Sequence, residues 1–206
     1  MFNRFDKKRD KQLGIKTTGY RDWVGKGARY YNRTESTPYN SLDRLFDLYA
    51  LPQNPVLVDF GAGKGRSSLY VHDRFNIPVR AIELNEITFE ELEENKINYL
   101  KKKNLKHADI KLYLQFAEYY EVEPEENVFY FFNPFTLAIF KEVIDNIQES
   151  LITHPRQVDI ILHYPARNFI RYMKDRTKFN RIKTINVLNS DDPRDIFVIY
   201  RNEFKG

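Results

Sequence analysis

Residues 56–70, VLVDFGAGKGRSSLY, constrain the fold of this chain more than any other stretch. Residues 56–60 form a short apolar run with two β-branched positions among the first three. The run stops at Gly61-Ala62-Gly63-Lys64-Gly65, and a helical pattern follows over 67–75. An apolar run of this length that ends at a turn reads as a buried strand. Glycines at 61, 63 and 65 let the backbone turn sharply and approach a ligand with no Cβ in the way. The helix behind them offers free N–H groups and the positive end of its dipole. Strand, glycine turn and helix in this order open a βαβ unit.

The remaining periodicities extend that unit. Residues 79–84, 110–114, 128–132 and 158–162 read as further strands, and 179–188 with 195–200 as a closing antiparallel pair. Helices are expected at 86–104, 136–151 and 166–175. Ahead of the first strand, Leu42, Leu45, Phe46 and Tyr49 recur at helical spacing. Thr37 is placed to cap that helix, with Pro38 at its first position. Strands that alternate with helices predict an α/β fold: a doubly wound, mostly parallel, seven-stranded sheet of the Rossmann type. Helices would cover both faces, and a C-terminal antiparallel strand pair would close it.

Composition removes several function classes. There is no cysteine, which excludes disulfides, thiolate metal sites and cysteine nucleophiles. No His/Asp/Glu spacing suggests a metal site, and no G-x-S-x-G elbow suggests a hydrolase. No apolar run approaches the roughly 20 residues needed to span a bilayer. Residues 1–14 lack the apolar stretch of a signal peptide. The expectation is a cytoplasmic protein with no membrane partner. Charge is unevenly placed: residues 1–33 hold ten Lys/Arg and three Asp/Glu, a net +7, which leaves −3 for the rest of a chain of net +4. Residues 1–36 therefore read as a basic arm or lid, and 37–206 as the folded domain. Such an arm is either a solvated, partly disordered tail or an attractor of nucleic acid or another polyanion.

Three nucleotide readings of the glycine turn compete. A P-loop needs G-x-x-x-x-G-K-[ST], which this spacing does not supply. A dinucleotide fingerprint needs G-x-G-x-x-G, and here the third glycine comes one position early. The stretch Asp59-Phe60-Gly61-Ala62-Gly63-Lys64-Gly65-Arg66 resembles the first motif of the class I S-adenosylmethionine-dependent methyltransferases, in which an acidic residue precedes G-x-G-x-G. The resemblance implies S-adenosylmethionine as cofactor. It places Asp59 near the methionine ammonium, with Gly61, Ala62, Gly63 and Gly65 along the cofactor. Glu83, 24 residues after Asp59, would hold the ribose hydroxyls with Leu84 beside it. Phe116, Ala117 and Glu118, with Gln115, would flank adenine. Phe116 stands where the family often has Asp or Asn. Lys64 and Arg66 are expected to face solvent.

The fourth strand ends in Phe132-Asn133-Pro134-Phe135. This resembles the [N/D]-P-P-[F/Y] signature of methyltransferases that act on planar amino nitrogens, with one proline fewer. The resemblance implies that Asn133 and a carbonyl beside Pro134 orient the nitrogen and that Phe135 stacks on the substrate. Core packing of Phe135 is the alternative. Residues 35–39, ESTPY, resemble the x-P-T-P-x start of a helix in some protein-lysine methyltransferases, with Tyr30, Tyr31 or Tyr39 as a lid. His163, in the tract LHYP, is a base candidate at the crevice or a structural histidine. Asn133, Pro134, Phe135, Tyr39 and His163 form the candidate catalytic set. The implied activity is methyl transfer to a nitrogen of a protein, nucleic acid or small molecule. A non-catalytic nucleotide- or RNA-binding module on the same fold is the second reading.

Overall fold

The computed structural model describes residues 4–24, 28–187, 190 and 192–204. Along the chain the elements are α1 (Arg4–Leu13), β1 (Tyr20–Arg21), β2 (Thr34–Glu35), α2 (Tyr39–Leu48), β3 (Leu57–Phe60) and α3 (Arg66–Phe75). They continue with β4 (Val79–Glu83), α4 (Glu86–Lys103), β5 (Ile110–Leu114), a 3-10 turn (Ala117–Tyr119) and β6 (Val128–Phe132). The last are α5 (Leu137–Thr153), β7 (Asp159–His163), α6 (Arg167–Arg176), β8 (Phe179–Asn186) and β9 (Ile196–Asn202).

β3 to β9 form a seven-stranded sheet in the order β5-β4-β3-β6-β7-β9-β8. β3 pairs in parallel with β4 on one side and β6 on the other, and β4–β5 and β6–β7 are parallel too. β9 runs antiparallel to both β7 and β8. The strand order reverses at β3, so a crevice opens outside the carboxyl ends of β3, β4 and β6. The expected sheet and its antiparallel closing pair are therefore present.

Alternation along the central strands builds two cores. Val58, Phe60, Phe129 and Phe131 pack with Phe140, Val143, Ile144 and Ile147 of α5 and with Phe169 and Met173 of α6. Leu57, Tyr130 and Ile161 point to the other face, against Leu42, Leu45 and Phe46 of α2, Leu69 and Tyr70 of α3, and Tyr99 of α4. β3, β4 and β7 are buried along their whole length, as expected for strands covered by helices on both sides.

Two expectations need correction. Residues 4–13, read as part of a solvated arm, form a helix whose Asp6, Asp10 and Leu13 are buried. Thr37 does not cap α2 with its side chain. Asp6 does so from the first helix: its Oδ1 accepts the Tyr39 backbone N–H at 3.0 Å. Thr37 instead turns inward, its Oγ1 2.7 Å from the Tyr130 hydroxyl. No helix of the described residues is long and apolar enough to cross a membrane.

Candidate functional site

The crevice at the carboxyl edge holds a cleft of about 490 Å³, solvent at its mouth included. Gly61, Ile82, Glu83, Leu84, Gln115 and Ala117 form its floor. Phe132, Pro134 and Phe135 close one side, and Trp23, Tyr31, Arg33, Thr34 and Glu35 form a roof. Glu83 ends β4, and backbone donors hold its carboxylate. Gly63 N–H donates to Oε2 at 2.9 Å, and Leu84 and Asn85 N–H donate to Oε1 at 3.0 and 2.8 Å. A carboxylate has about four acceptor directions, so one remains for a ligand. Burial raises its pKa, and those same backbone donors oppose the rise.

Gly61 and Gly63 both have positive φ, at +74° and +57°. A Cβ at Gly61 would lie 2.5 Å from the Pro134 Cβ, and one at Gly63 would lie 2.8 Å from the Thr34 Cγ2. Both glycines thus admit neighbouring chain: the Pro134 turn and the roof. The roof is stitched to that turn by backbone. Asn32 N–H donates to the Pro134 carbonyl at 3.0 Å, and Thr136 N–H to the Tyr30 carbonyl at 2.8 Å. Tyr31 bridges Phe135, and Trp23 stacks on Tyr31 with ring centroids 4.7 Å apart. On the far side Arg21 and Lys64 both reach Glu91, at 2.9 and 3.2 Å.

Of the expected cofactor residues, Gly61, Glu83, Leu84 and Ala117 line the cleft. Asp59 does not. It is buried beneath the turn, where its Oδ2 accepts the Ser68 hydroxyl at 2.6 Å. Burial pushes its carboxyl up to about 7; the Ser68 hydrogen bond opposes this and the charge of Glu83 adds to it. Ala62 and Gly63 lie behind the floor, where Ala62 N–H bonds the Ile82 carbonyl and Gly63 N–H bonds Glu83. Gly65 serves packing: a Cβ there would meet Leu92 at 2.3 Å. Phe116 is 44% exposed and leans edge-on against Tyr119 outside the cleft. Glu118 also lies outside, with a buried Oε2 that has no hydrogen-bond partner.

Arg66, expected in solvent, is 1% exposed. It lies 3.6 Å from Asp6 and 3.7 Å from Asp10, donates to Thr17 Oγ1 at 2.6 Å, and stacks on Tyr39 at 4.7 Å. Tyr39 is correspondingly removed from the site. It is fully buried under α1, with its hydroxyl on Asp10 at 2.8 Å. Lys64 is mostly buried and paired with Glu91 rather than free in solvent.

A second cavity adjoins the cleft and shares Arg33, Glu35 and Phe132 with it. Asn32, Pro38, Asn133, His163, Tyr164 and Asp195 complete its wall. Asn133 follows β6 and Tyr164 follows β7, strands whose last residues Phe132 and His163 are register partners. Both have left-handed backbone, φ +41° and +50°. Both precede proline, which favours extended backbone in the residue before it. Strain of this kind costs about 1–3 kcal/mol per residue and collects at ligand sites. Phe135 is buried, edge-on to Phe131. It lines the cleft and not this cavity.

His163 is 2% exposed. Its ring lies between Phe132 and Phe197, with centroids 4.2 Å away on each side. Its Nε2 is 3.0 Å from Asp195 Oδ1, and its Nδ1 is 3.4 Å from Thr37 Oγ1. The hydrogen bond from His163 holds the Asp195 carboxyl below its ordinary range. Burial lowers the pKa of His163 itself, so the ring is neutral at pH 7. An ionised Asp195 assigns the proton to Nε2 and leaves Nδ1 to accept from Thr37. His163 therefore supports Phe132 and is poorly placed to draw a proton from a substrate. Sequence reasoning missed Trp23, Asn32, Arg33, Glu35, Tyr164 and Asp195. Tyr164 and Glu35 stand inside tracts singled out for other residues, LHYP and ESTPY, Asp195 lies beyond every motif, and the others lie in the segment read as an arm or lid.

No protein-family model matches the chain, and no curated protein matches it. Solved structures do match. An RNA methyltransferase from Salinibacter ruber, in complex with S-adenosyl-L-homocysteine, aligns over 81% of this chain and 92% of its own, at 15% identity and TM-score 0.54. M. jannaschii TYW2 in complex with AdoMet aligns over 82% and 77%, at 17% identity and TM-score 0.54. A geranyl diphosphate C-methyltransferase from Streptomyces coelicolor A3(2) aligns over 80% and 76%, at 9% identity and TM-score 0.55. Identities this low carry architecture, not activity. The chain has the Rossmann-like fold of these structures.

Proposed function

We propose that this chain is an S-adenosylmethionine-dependent methyltransferase acting on a nitrogen. The observation that carries the reading is the junction of two cavities at the carboxyl edge of the sheet. One is floored by Gly61, Glu83 and Ala117, the other walled by Asn133, and they meet at Arg33, Glu35 and Phe132. The donor set suits the cofactor. Glu83 keeps an acceptor direction for a ribose diol, and Ile82, Leu84 and Ala117 offer apolar contact to adenine. Arg33 and Glu35 present opposite charges to a carboxylate and an ammonium. Glu35 thus takes the part that the motif resemblance gave to Asp59. The three solved structures described above all contain S-adenosyl-L-homocysteine or AdoMet, which agrees with this choice.

When bound, the cofactor supplies a methyl group already activated by the sulfonium. The protein's task is then to align a nucleophile and exclude water. The Asn133 carboxamide faces the second cavity with a donor and an acceptor, suited to a nitrogen that carries a hydrogen. The roof formed by Trp23, Tyr31, Arg33, Thr34 and Glu35 shields the junction. With His163 neutral and held by Asp195, no base is needed for an amine whose lone pair is already free. Incubation with methyl-labelled cofactor and fractionated cell extract tests the reading. Label should appear on nitrogen in one class of acceptor, and Asn133→Ala should reduce its transfer at least tenfold with cofactor affinity unchanged. Label on carbon or oxygen would refute nitrogen transfer.

One observation favours the binding-module reading as second. α1 turns both of its carboxylates inward and leaves Lys7, Lys8 and Lys11 exposed. If that face holds RNA, affinity should fall steeply with salt, and Lys7→Gln/Lys8→Gln/Lys11→Gln should remove much of the slope.

A further inference from the structure

The roof leaves the body of the molecule at Thr17 and returns at Ser36, and these two ends are held together. Thr17 is fully buried, and its N–H and its hydroxyl both donate to the Asp10 carboxylate at 2.7 Å. The Ser36 hydroxyl donates to the Thr17 carbonyl at 2.8 Å, and β1 pairs with β2 just beyond. α4 holds this base as well: Lys16 N–H donates to Asn95 Oδ1 at 2.8 Å, and Arg21 reaches Glu91. The far end is held differently. Asn32 grips the turn after β6 with two bonds, from its side-chain Nδ2 to the Asn133 carbonyl at 2.7 Å and from its backbone N–H to the Pro134 carbonyl at 3.0 Å. Thr136 N–H adds a bond to the Tyr30 carbonyl, and Tyr31 rests half-buried on the core between them. Asn32 is exposed, so water competes for its bonds. The Asp10 bonds at the base are buried and charge-assisted. The gripped turn is also strained, with Asn133 at φ +41° directly before Pro134. Such backbone relaxes to the extended region once released. The tip is therefore the weaker end.

We propose that the roof is a flap hinged at Thr17 and Ser36, that Asn32 is its latch, and that release of this latch sets the rate at which the cofactor enters and leaves. The inference rests on the reading of the cleft as a cofactor site and adds how that site opens. Trp23, Tyr31, Arg33, Thr34 and Glu35 face a floor that includes Gly61, Glu83 and Ala117. Thr34 rests on the glycine turn, where a Cβ at Gly63 would lie 2.8 Å from its Cγ2. A ligand seated on Glu83 is covered while Asn32 is latched. Opening at the tip also parts Arg33 and Glu35 from Phe132, where the two cavities meet.

The test is exchange of S-adenosylhomocysteine on the full chain, with tritiated ligand bound and excess unlabelled ligand added as chase. Tyr31 and Phe135 are bridge partners, so Tyr30 stands opposite Thr136. Cα atoms of such a pair lie about 5.5 Å apart, within reach of a disulfide. Neither residue lines the cleft, and the chain has no cysteine to compete. In Tyr30→Cys/Thr136→Cys, oxidation after loading should slow release at least tenfold, and reduction should restore it. Asn32→Ala should speed release about threefold to tenfold, the effect of one hydrogen bond, without slowing association. Glu91→Gln, at the base, should leave release within twofold of wild type. Release from the oxidised double variant at its reduced rate, with the disulfide verified by mass spectrometry, would overturn the proposal. So would an Asn32→Ala rate equal to wild type, or faster release from Glu91→Gln than from Asn32→Ala. In each of these cases the bound ligand still upholds the cofactor reading. Absence of S-adenosylhomocysteine binding to wild type would overturn both.

Discussion

Individual residues at the crevice are tuned by burial more than by pairing. Asp59 is the clearest case, with its carboxyl pushed up to about 7 beneath the glycine turn. A carboxyl whose pKa is raised on folding stabilises the fold fully below the unfolded value near 4. It loses that contribution as pH rises toward 7. Asp59→Asn keeps an acceptor for the Ser68 hydroxyl and removes the charge. The variant should be more stable than wild type at pH 8 by about 1–3 kcal/mol, with a flatter stability profile between pH 4 and 7. Denaturant titrations across that range would show it, and parallel profiles for the two proteins would rule the explanation out. The sequence marks Asp59 by its place before the glycines but says nothing of where its side chain turns. That is decided by Ser68, nine residues on, and by the cover of α3. Glu83 was legible because a strand end next to the switch point has one exposed direction. Glu35 and Tyr164 were not: each stands inside a tract singled out for another residue, ESTPY and LHYP, and its place in the site is set by long-range packing.

At the scale of elements, the frame from β3 to β9 was readable because strands buried on both faces must be apolar, and helices between them must carry one apolar stripe. α1 escaped because its buried face is largely aspartate. Asp6 and Asp10 are tolerable inside because Arg66, the first residue of α3, lies 3.6 and 3.7 Å away and because Tyr39 and Thr17 donate hydrogen bonds to them. A helix docked by buried charge leaves no hydrophobic period to detect. This arrangement ties the start of the helix after the glycine turn to the N-terminal segment. Breaking a buried ion network costs more than replacing it whole. Arg66→Met alone should destabilise the fold by about 3–5 kcal/mol. The triple change Asp6→Asn/Asp10→Asn/Arg66→Met should cost clearly less than that. Chemical denaturation midpoints decide the matter, and a triple variant weaker than Arg66→Met would show that the carboxylates do not depend on the guanidinium.

Across the whole molecule, the two candidate cavities lie where the sheet changes direction. The parallel strands end there, the glycine turn opens there, and Trp23 with residues 30–35 forms a roof. The roof is pinned to the Pro134 turn on one side, through Asn32 and Tyr30, and on the other through β1, which pairs with β2 and whose Arg21 reaches Glu91 of α4. The basic character of this segment concealed its role, because Arg21 and Arg33 read as arm charges and instead pair with Glu91 and Asp22. The account as a whole depends on the cleft over Glu83 receiving an adenosyl ligand. Isothermal titration of the chain with S-adenosylmethionine, with NAD as control, measures this most directly. One molecule of S-adenosylmethionine should bind per chain, NAD should give no heat, and Glu83→Ala, checked for intact folding, should weaken binding at least tenfold. Absence of binding at millimolar S-adenosylmethionine, or an affinity indifferent to Glu83→Ala, would contradict the account.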